Sequence, residues 1–153
     1  MAVPLALASP AQAVVDPSAP IWYEVDVIGV SSTGGVVRYD QELGRCGGAQ
    51  TAISCTVSAS RTATRTIGAT FGISAAGVAA SLGISSATAV TISSTCGGSI
   101  APPTYPWIVG YASGTTYKYT IRKRTYQYGR LTQTATSTQY AFNPLGIHCA
   151  RAS

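Results

Sequence analysis

Polar and apolar residues take turns along "IWYEVDVIGV", residues 21–30. Ile21, Tyr23, Val25 and Val27 fall on one side, and Trp22, Glu24 and Asp26 on the other. A period of two marks a strand with one buried face. "VVRYDQEL" predicts a second strand, set off from the first by the turn signal "SSTGG". A glycine-rich loop, "GRCGGAQ", leads into the strand-like stretch "TAISCTVSASRTATRTIGATFGI". Beyond the turn-rich break "CGGSIAPPTYP", the runs "WIVGYAS", "TTYKYTIRKRTYQY" and "RLTQTATSTQYAF" read as strands. Gly114 and Gly129 stand at their turns, and "NPLGIHC" closes the chain on a Pro-Gly turn. Strands with turn signals at this spacing predict an all-β fold, an antiparallel sandwich or a strongly twisted sheet.

Residues 64–94 break the alternation. No charged side chain occurs between Arg65 and Lys118, and the run is dominated by Gly, Ala, Ser and Thr. Two local structures fit it. In one, a tight hairpin turns at Ala75-Ala76, and Ile67, Phe71 and Ile73 share a face with Val78, Leu82 and Ile84. In the other, Ser74 caps a short helix, "AAGVAASL", that Gly83 ends, with Ile73 and Val78 as a hydrophobic staple. Ala-Ala is a poor two-residue hairpin loop, because such turns need positive φ. The helical connector is therefore favoured, and either structure makes the flanking strands antiparallel neighbours. A membrane-inserting hairpin is the third reading. Its apolar face covers about seven residues a side, short of the roughly 9–11 that a transmembrane strand needs.

Charge and cysteine content narrow the class. Charged residues make up 10% of the 153, well below the usual quarter or so. All five acids precede residue 43, and nine of the ten bases, Arg38 being the exception, follow them. Such asymmetry suits an anionic partner or one end of the chain folding on the other. "LALASPAQA" ends in a small-x-small pattern at Ala13, so residues 1–13 read as a truncated signal peptide and the localisation as extracellular. Residues 14–20 (Val14, Val15, Asp16, Pro17, Ser18, Ala19 and Pro20) then form an extended N-terminal arm that docks on a partner. Residues 21–153 make a single β-rich domain. The four cysteines lack a CxxC pair, which favours two disulfides over a zinc site. Continued outward, the tight-hairpin register sets Cys55 opposite Cys96 and leaves Cys46 to Cys149. The competing scheme joins Cys46 to Cys55 and Cys96 to Cys149.

The inventory for catalysis is thin. His148, the one histidine, neighbours Cys149, and no GxSxG elbow occurs. Glu24 and Asp26 point the same way from one strand, an arrangement that more often serves nearby cations than glycoside hydrolysis. The reading is a non-enzymatic chain with no cofactor or metal. The segment "YKYTIRKRTYQYGR" interleaves aromatics and cations, and Lys118, Arg122, Arg124, Tyr126 and Tyr128 form a candidate face for a polyanion or a protein. Export argues against nucleic acid. The same arginines could equally pair with Glu24 and Asp26.

The order "TFGISAAGVAASLGIS", "YPWIVGYASGTTYKY" and "YAFNPLGIHC" resembles a group of small secreted β-rich proteins of Gram-positive bacteria. The layout, a proline-containing arm before a disulfide-linked β-domain, is also similar to the adaptor subunits of the umbrella-shaped toxin particles of actinobacteria. That resemblance implies a protein-interaction module, a structural or adaptor subunit of an extracellular assembly whose arm binds a protein partner. A membrane-active hairpin and a binder of cell-surface polyanions are the alternatives.

Overall fold

Three of the alternating stretches become long strands in a computed structural model that describes residues 13–14, 20–47, 53–58, 61–100 and 107–152. In chain order the elements are β1 (Ala13–Val14), β2 (Ile21–Gly47), β3 (Ile53–Ser58), β4 (Ala63–Thr64), β5 (Thr66–Ile67) and α1 (Ala75–Leu82). They continue with β6 (Ala89–Val90), β7 (Thr95–Ile100), β8 (Trp107–Gln127) and β9 (Arg130–Ala152). The largest sheet has the order β1-β2-β8-β9-β5, while β3 pairs with β7 and β4 with β6. The fold is all-β and antiparallel with one short helix. Tyr128 and Gly129 join β8 to β9 with φ of 49° and 76°. Two positive values in a row are what a two-residue hairpin needs, so the turn expected at Gly129 is present.

The described residues form two compact units. One draws on Met1–Ser32, Thr66–Ser86 and Thr116–Phe142, the other on Thr33–Arg65, Ala87–Thr115 and Asn143–Ser153. Each long strand therefore contributes to both. The expected turns at "SSTGG", Gly114 and "NPLG" do not reverse the chain: β2, β8 and β9 run straight through them. All three signals lie where a strand passes from one unit to the other. Gly inside a strand also marks close backbone approach, and that meaning applies at Gly114, where an added Cβ would lie 2.0 Å from the Asn143 carbonyl oxygen.

In the first unit a helix covers a sheet. Ser74 Oγ accepts from Gly77 N at 3.0 Å, and Gly83 takes the left-handed conformation with φ of 73°. The connector over 75–82 is a helix, and the tight hairpin at Ala75-Ala76 is not formed. Ile73 and Val78 lie in one core cluster with Val25 of β2, Tyr119 and Ile121 of β8, and Ala141 of β9. Ile67, Phe71 and Leu82 pack against that cluster. The small-residue stretch thus serves as scaffold, as its apolar positions predict.

In the second unit, β3 and β7 are antiparallel neighbours as expected, but in another register. Val57 faces Cys96 and Cys55 faces Gly98, two residues away from the tight-hairpin alignment. The helix replaces the hairpin, and β5 leaves to pair with β9 through Thr66–Phe142 and Ile67–Ala141. Nothing then enforces the hairpin count. Cys96 instead bonds Cys149 of β9, with the Cα atoms 5.7 Å apart. This bond overturns the Cys55–Cys96 pairing and the Cys46–Cys149 pairing with it. The side chain of Cys55 lies outside the described residues, and Cys46 is not a free thiol. Val57, Cys96 and Ile108 form a core cluster here, with Cys46 and Ile147 against it.

Candidate interaction site

Strand alternation decides which side chains of β2 and β8 meet. Three cross-strand contacts, Trp22 with Tyr126, Glu24 with Arg124 and Asp26 with Arg122, have numbers that share one sum and so belong to one face. Arg122 Nε donates to Asp26 Oδ1 at 3.0 Å. Arg124 pairs with Glu24 and also lies 3.9 Å from Asp26. The hydrogen bond from Arg122 to Asp26 raises the guanidinium's pKa above its ordinary value. The rings of Trp22 and Tyr126 stack 4.2 Å apart at 9°. Cross-strand pairs of these kinds hold a two-strand register.

The candidate basic face is therefore largely committed within the molecule. Arg122, Arg124 and Tyr126 each have a partner on β2, whereas Lys118 and Tyr128 are exposed, the latter at 80%. The expected arm is fastened at both ends. Val14 pairs with Glu24 in the β1–β2 ladder, next to Ala13 with Val25. Pro20 accepts at its carbonyl from Tyr128 N at 2.7 Å. Val15, Asp16, Pro17, Ser18 and Ala19 lie outside the described residues.

His148 makes an edge contact with the Tyr39 ring, 6.2 Å between centroids, and Tyr39 also meets Tyr111. All four carboxylates among the described residues are held by arginines: Glu24 and Asp26 as above, Asp40 by Arg38, and Glu42 by Arg45. Arg38 and Arg45 lower the pKa values of Asp40 and Glu42, chiefly through those side-chain hydrogen bonds. No group of three His, Cys, Asp or Glu side chains gathers among the described residues. No described helix is long and apolar enough to cross a membrane.

The opposite face of the same sheet holds what sequence reasoning passed over. Residue 123 has the other parity from 122 and 124, so Lys123 leaves the paired face and lies over the Tyr23 ring, 4.2 Å from its centroid. It shares an open groove of about 420 Å³ with Ile21, Tyr23, Phe71, Gln133 and Ala135. The signal was present in the alternation, since Tyr23 and Val25 share a face and Lys123 falls on the face of Tyr119 and Ile121. No protein family matches the chain, and neither a curated protein nor a solved structure matches it.

Proposed function

We propose that the chain is a secreted, non-enzymatic interaction module, a structural or adaptor subunit of an extracellular assembly such as an antibacterial toxin particle. The observation that carries this reading is the outer stretch of β9. From Leu131 to Ala150 there is no Asp, Glu, Lys or Arg. Every residue from Arg130 to Tyr140 is exposed or half-exposed. Among the described residues β9 has β8 along one side, and along the other β5, which meets it at Ala141 and Phe142, followed by Gly68, whose N–H donates to the Tyr140 carbonyl. Protein edges are ordinarily blunted by lysine or proline, because a bare one templates pairing with another chain. A charge-free, solvent-facing edge suits strand addition by a partner. The commitment of the described carboxylates to arginines supports the same reading, since a general acid or base needs a carboxyl free to exchange protons with substrate. We further assign the second disulfide to Cys46 and Cys55, which extracellular oxidation would maintain.

The test begins with tagged protein recovered from its native culture medium, its mass measured by light scattering. A discrete complex of fixed stoichiometry is expected. Thr134→Lys with Thr136→Lys should abolish it, because both side chains are exposed and charge blunts an edge. A chain that stays monomeric in that medium overturns the reading. Liposome leakage, or salt-sensitive retention on purified cell wall, would point to the membrane-active or polyanion-binding alternatives.

A further inference from the structure

We infer that the groove beside Lys123 receives an extended protein segment whose apolar side chains are accompanied by one carboxylate; this rests on reading the chain as an interaction module. Helix α1 covers only part of the sheet face. Val25, Tyr119, Ile121 and Ala141 lie under Ile73 and Val78. Further toward the β8–β9 turn, the same face continues as Tyr23, Lys123 and Ala135, with no cover among the described residues. Ile21 and Tyr23 remain 48% and 38% exposed there. Phe71 stands at the junction, packed against the core on one side and lining the groove on the other. Its φ of 57° lies in the left-handed region, which a bulky residue keeps only where the surrounding structure holds it there. The fold therefore holds this ring as a wall of the groove.

Charge selects the occupant. Every described carboxylate is bound to an arginine, and among the described residues the ammonium of Lys123 has the Tyr23 ring but no acid. A cation in a groove that Ile21, Tyr23 and Phe71 also line favours a ligand that brings its own carboxylate alongside apolar side chains. Position selects a polypeptide. Gln133 and Ala135 line the groove from β9, the strand whose outer edge is open. A segment adding to that edge would place every second side chain over the uncovered face. The groove and the edge thus form one continuous site.

The probe is an acetylated and amidated hexapeptide of alternating Leu and Thr with a single Glu, compared with its Gln twin. Both are titrated to millimolar concentration into the isotopically labelled full chain, followed by amide chemical shifts. Saturable shifts are expected at Tyr23, Phe71, Lys123 and Gln133, with the Glu peptide binding about 3- to 5-fold tighter, the worth of one partly exposed ion pair. Lys123→Gln should equalise the two peptides and Lys123→Glu should reverse their order. Absence of saturation at those amides, or equal affinities for the twins, overturns the inference. Should a variant fail to fold, the two peptides on the unaltered chain still decide. A chain that binds the Glu peptide selectively yet stays monomeric in its native medium supports the groove and refutes the assembly. A discrete complex that survives both Lys123→Glu and Ala135→Trp overturns the groove and leaves the module standing.

Discussion

The two units meet the same problem, a sheet with an apolar face to cover, by different physical means. In the first, α1 and the residue before it bring Ile73 and Val78 onto Val25, Tyr119, Ile121 and Ala141. In the second, the short sheets are two-stranded ribbons, β3 with β7 and β4 with β6, and no helix is found among its described residues. Two-stranded ribbons are marginal on their own in water. Here a covalent bond from β7 to β9 and very close backbone approach take over. A Cβ built on Gly114 would lie 2.0 Å from the Asn143 carbonyl oxygen, and one on Gly110 would lie 2.3 Å from Ile147 Cδ1. Buried Asn143 is itself held by Arg65, whose Nε donates to Asn143 Oδ1 at 2.8 Å. A cluster that buries large side chains tolerates small adjustments; interlocked backbone does not. The second unit should therefore be more sensitive to single atoms and to reduction.

The largest effect is expected from the disulfide. Its cysteines are separated by 53 residues, so removing it with Cys96→Ala and Cys149→Ala should cost about 4 kcal/mol. Guanidinium unfolding followed by amide exchange measures this. Protection should fall first in β3, β7 and residues 143–151, while the amides of Tyr119 and Ile121 hold. Simultaneous opening of both sets would erase the contrast between the units. Gly114→Ala comes next, at about 3 kcal/mol, because the added carbon meets backbone rather than a flexible side chain. Gly34→Ala serves as its control, since a Cβ there meets nothing within 4 Å, and its midpoint should scarcely move.

The first unit is probed by Val78→Ala, which truncates a fully buried side chain. A loss of about 2 kcal/mol is expected, read through the fluorescence of Trp22, which stacks on Tyr126. Amides around Cys96 should be unaffected. A smaller loss, at most about 1–2 kcal/mol, is expected for Glu24→Gln with Asp26→Asn, because the acids retain 16% and 23% exposure and their arginines 29% and 28%, and partly exposed pairs are weak. A greater loss would mean that the ion pairs, rather than the helix, secure the sheet.

Much of this was readable from local signals. The Ser74 cap, the Gly83 stop and the staple pair specify α1 from within ten or so residues, and the Glu24 and Asp26 pairing follows from alternation plus opposite charge. What could not be read needed distant partners. "SSTGG", Gly114 and "NPLG" carry the same residues whether a strand reverses or continues, and only the opposing backbone, as at Asn143 beside Gly114, decides which. The Cys55–Cys96 register depended on an uninterrupted hairpin. The departure of β5 to β9, which pairs Ile67 with Ala141 and Thr66 with Phe142, 74 and 76 positions along, removed that premise. The groove was less legible because "RKR" reads as one run of cations, whereas parity places Lys123 on the face opposite Arg122 and Arg124.

The smallest effect concerns a single hydroxyl in the first unit and separates its packing from its polar contacts. Tyr119 is fully buried, and its hydroxyl donates to the Gly68 carbonyl. Gly68 N in turn donates to the Tyr140 carbonyl at 2.9 Å, so the phenol ties the segment after β5 to β9. Burial raises the Tyr119 pKa above its ordinary value. In the unfolded chain the phenol ionises near pH 10; in the fold it stays protonated to higher pH. The stability from this group is therefore complete below about pH 10 and lost as pH rises toward the folded-state pKa. Tyr119→Phe keeps the ring and removes the proton. At about pH 8 the unaltered chain should exceed the variant by about 1 kcal/mol, the worth of one neutral hydrogen bond. By about pH 11, past the free phenol's pKa, that margin should narrow, whatever the other tyrosines contribute to both proteins alike. Urea midpoints at the two pH values give the result, and a margin that does not change with pH would show that burial of this phenol does not disfavour its ionisation.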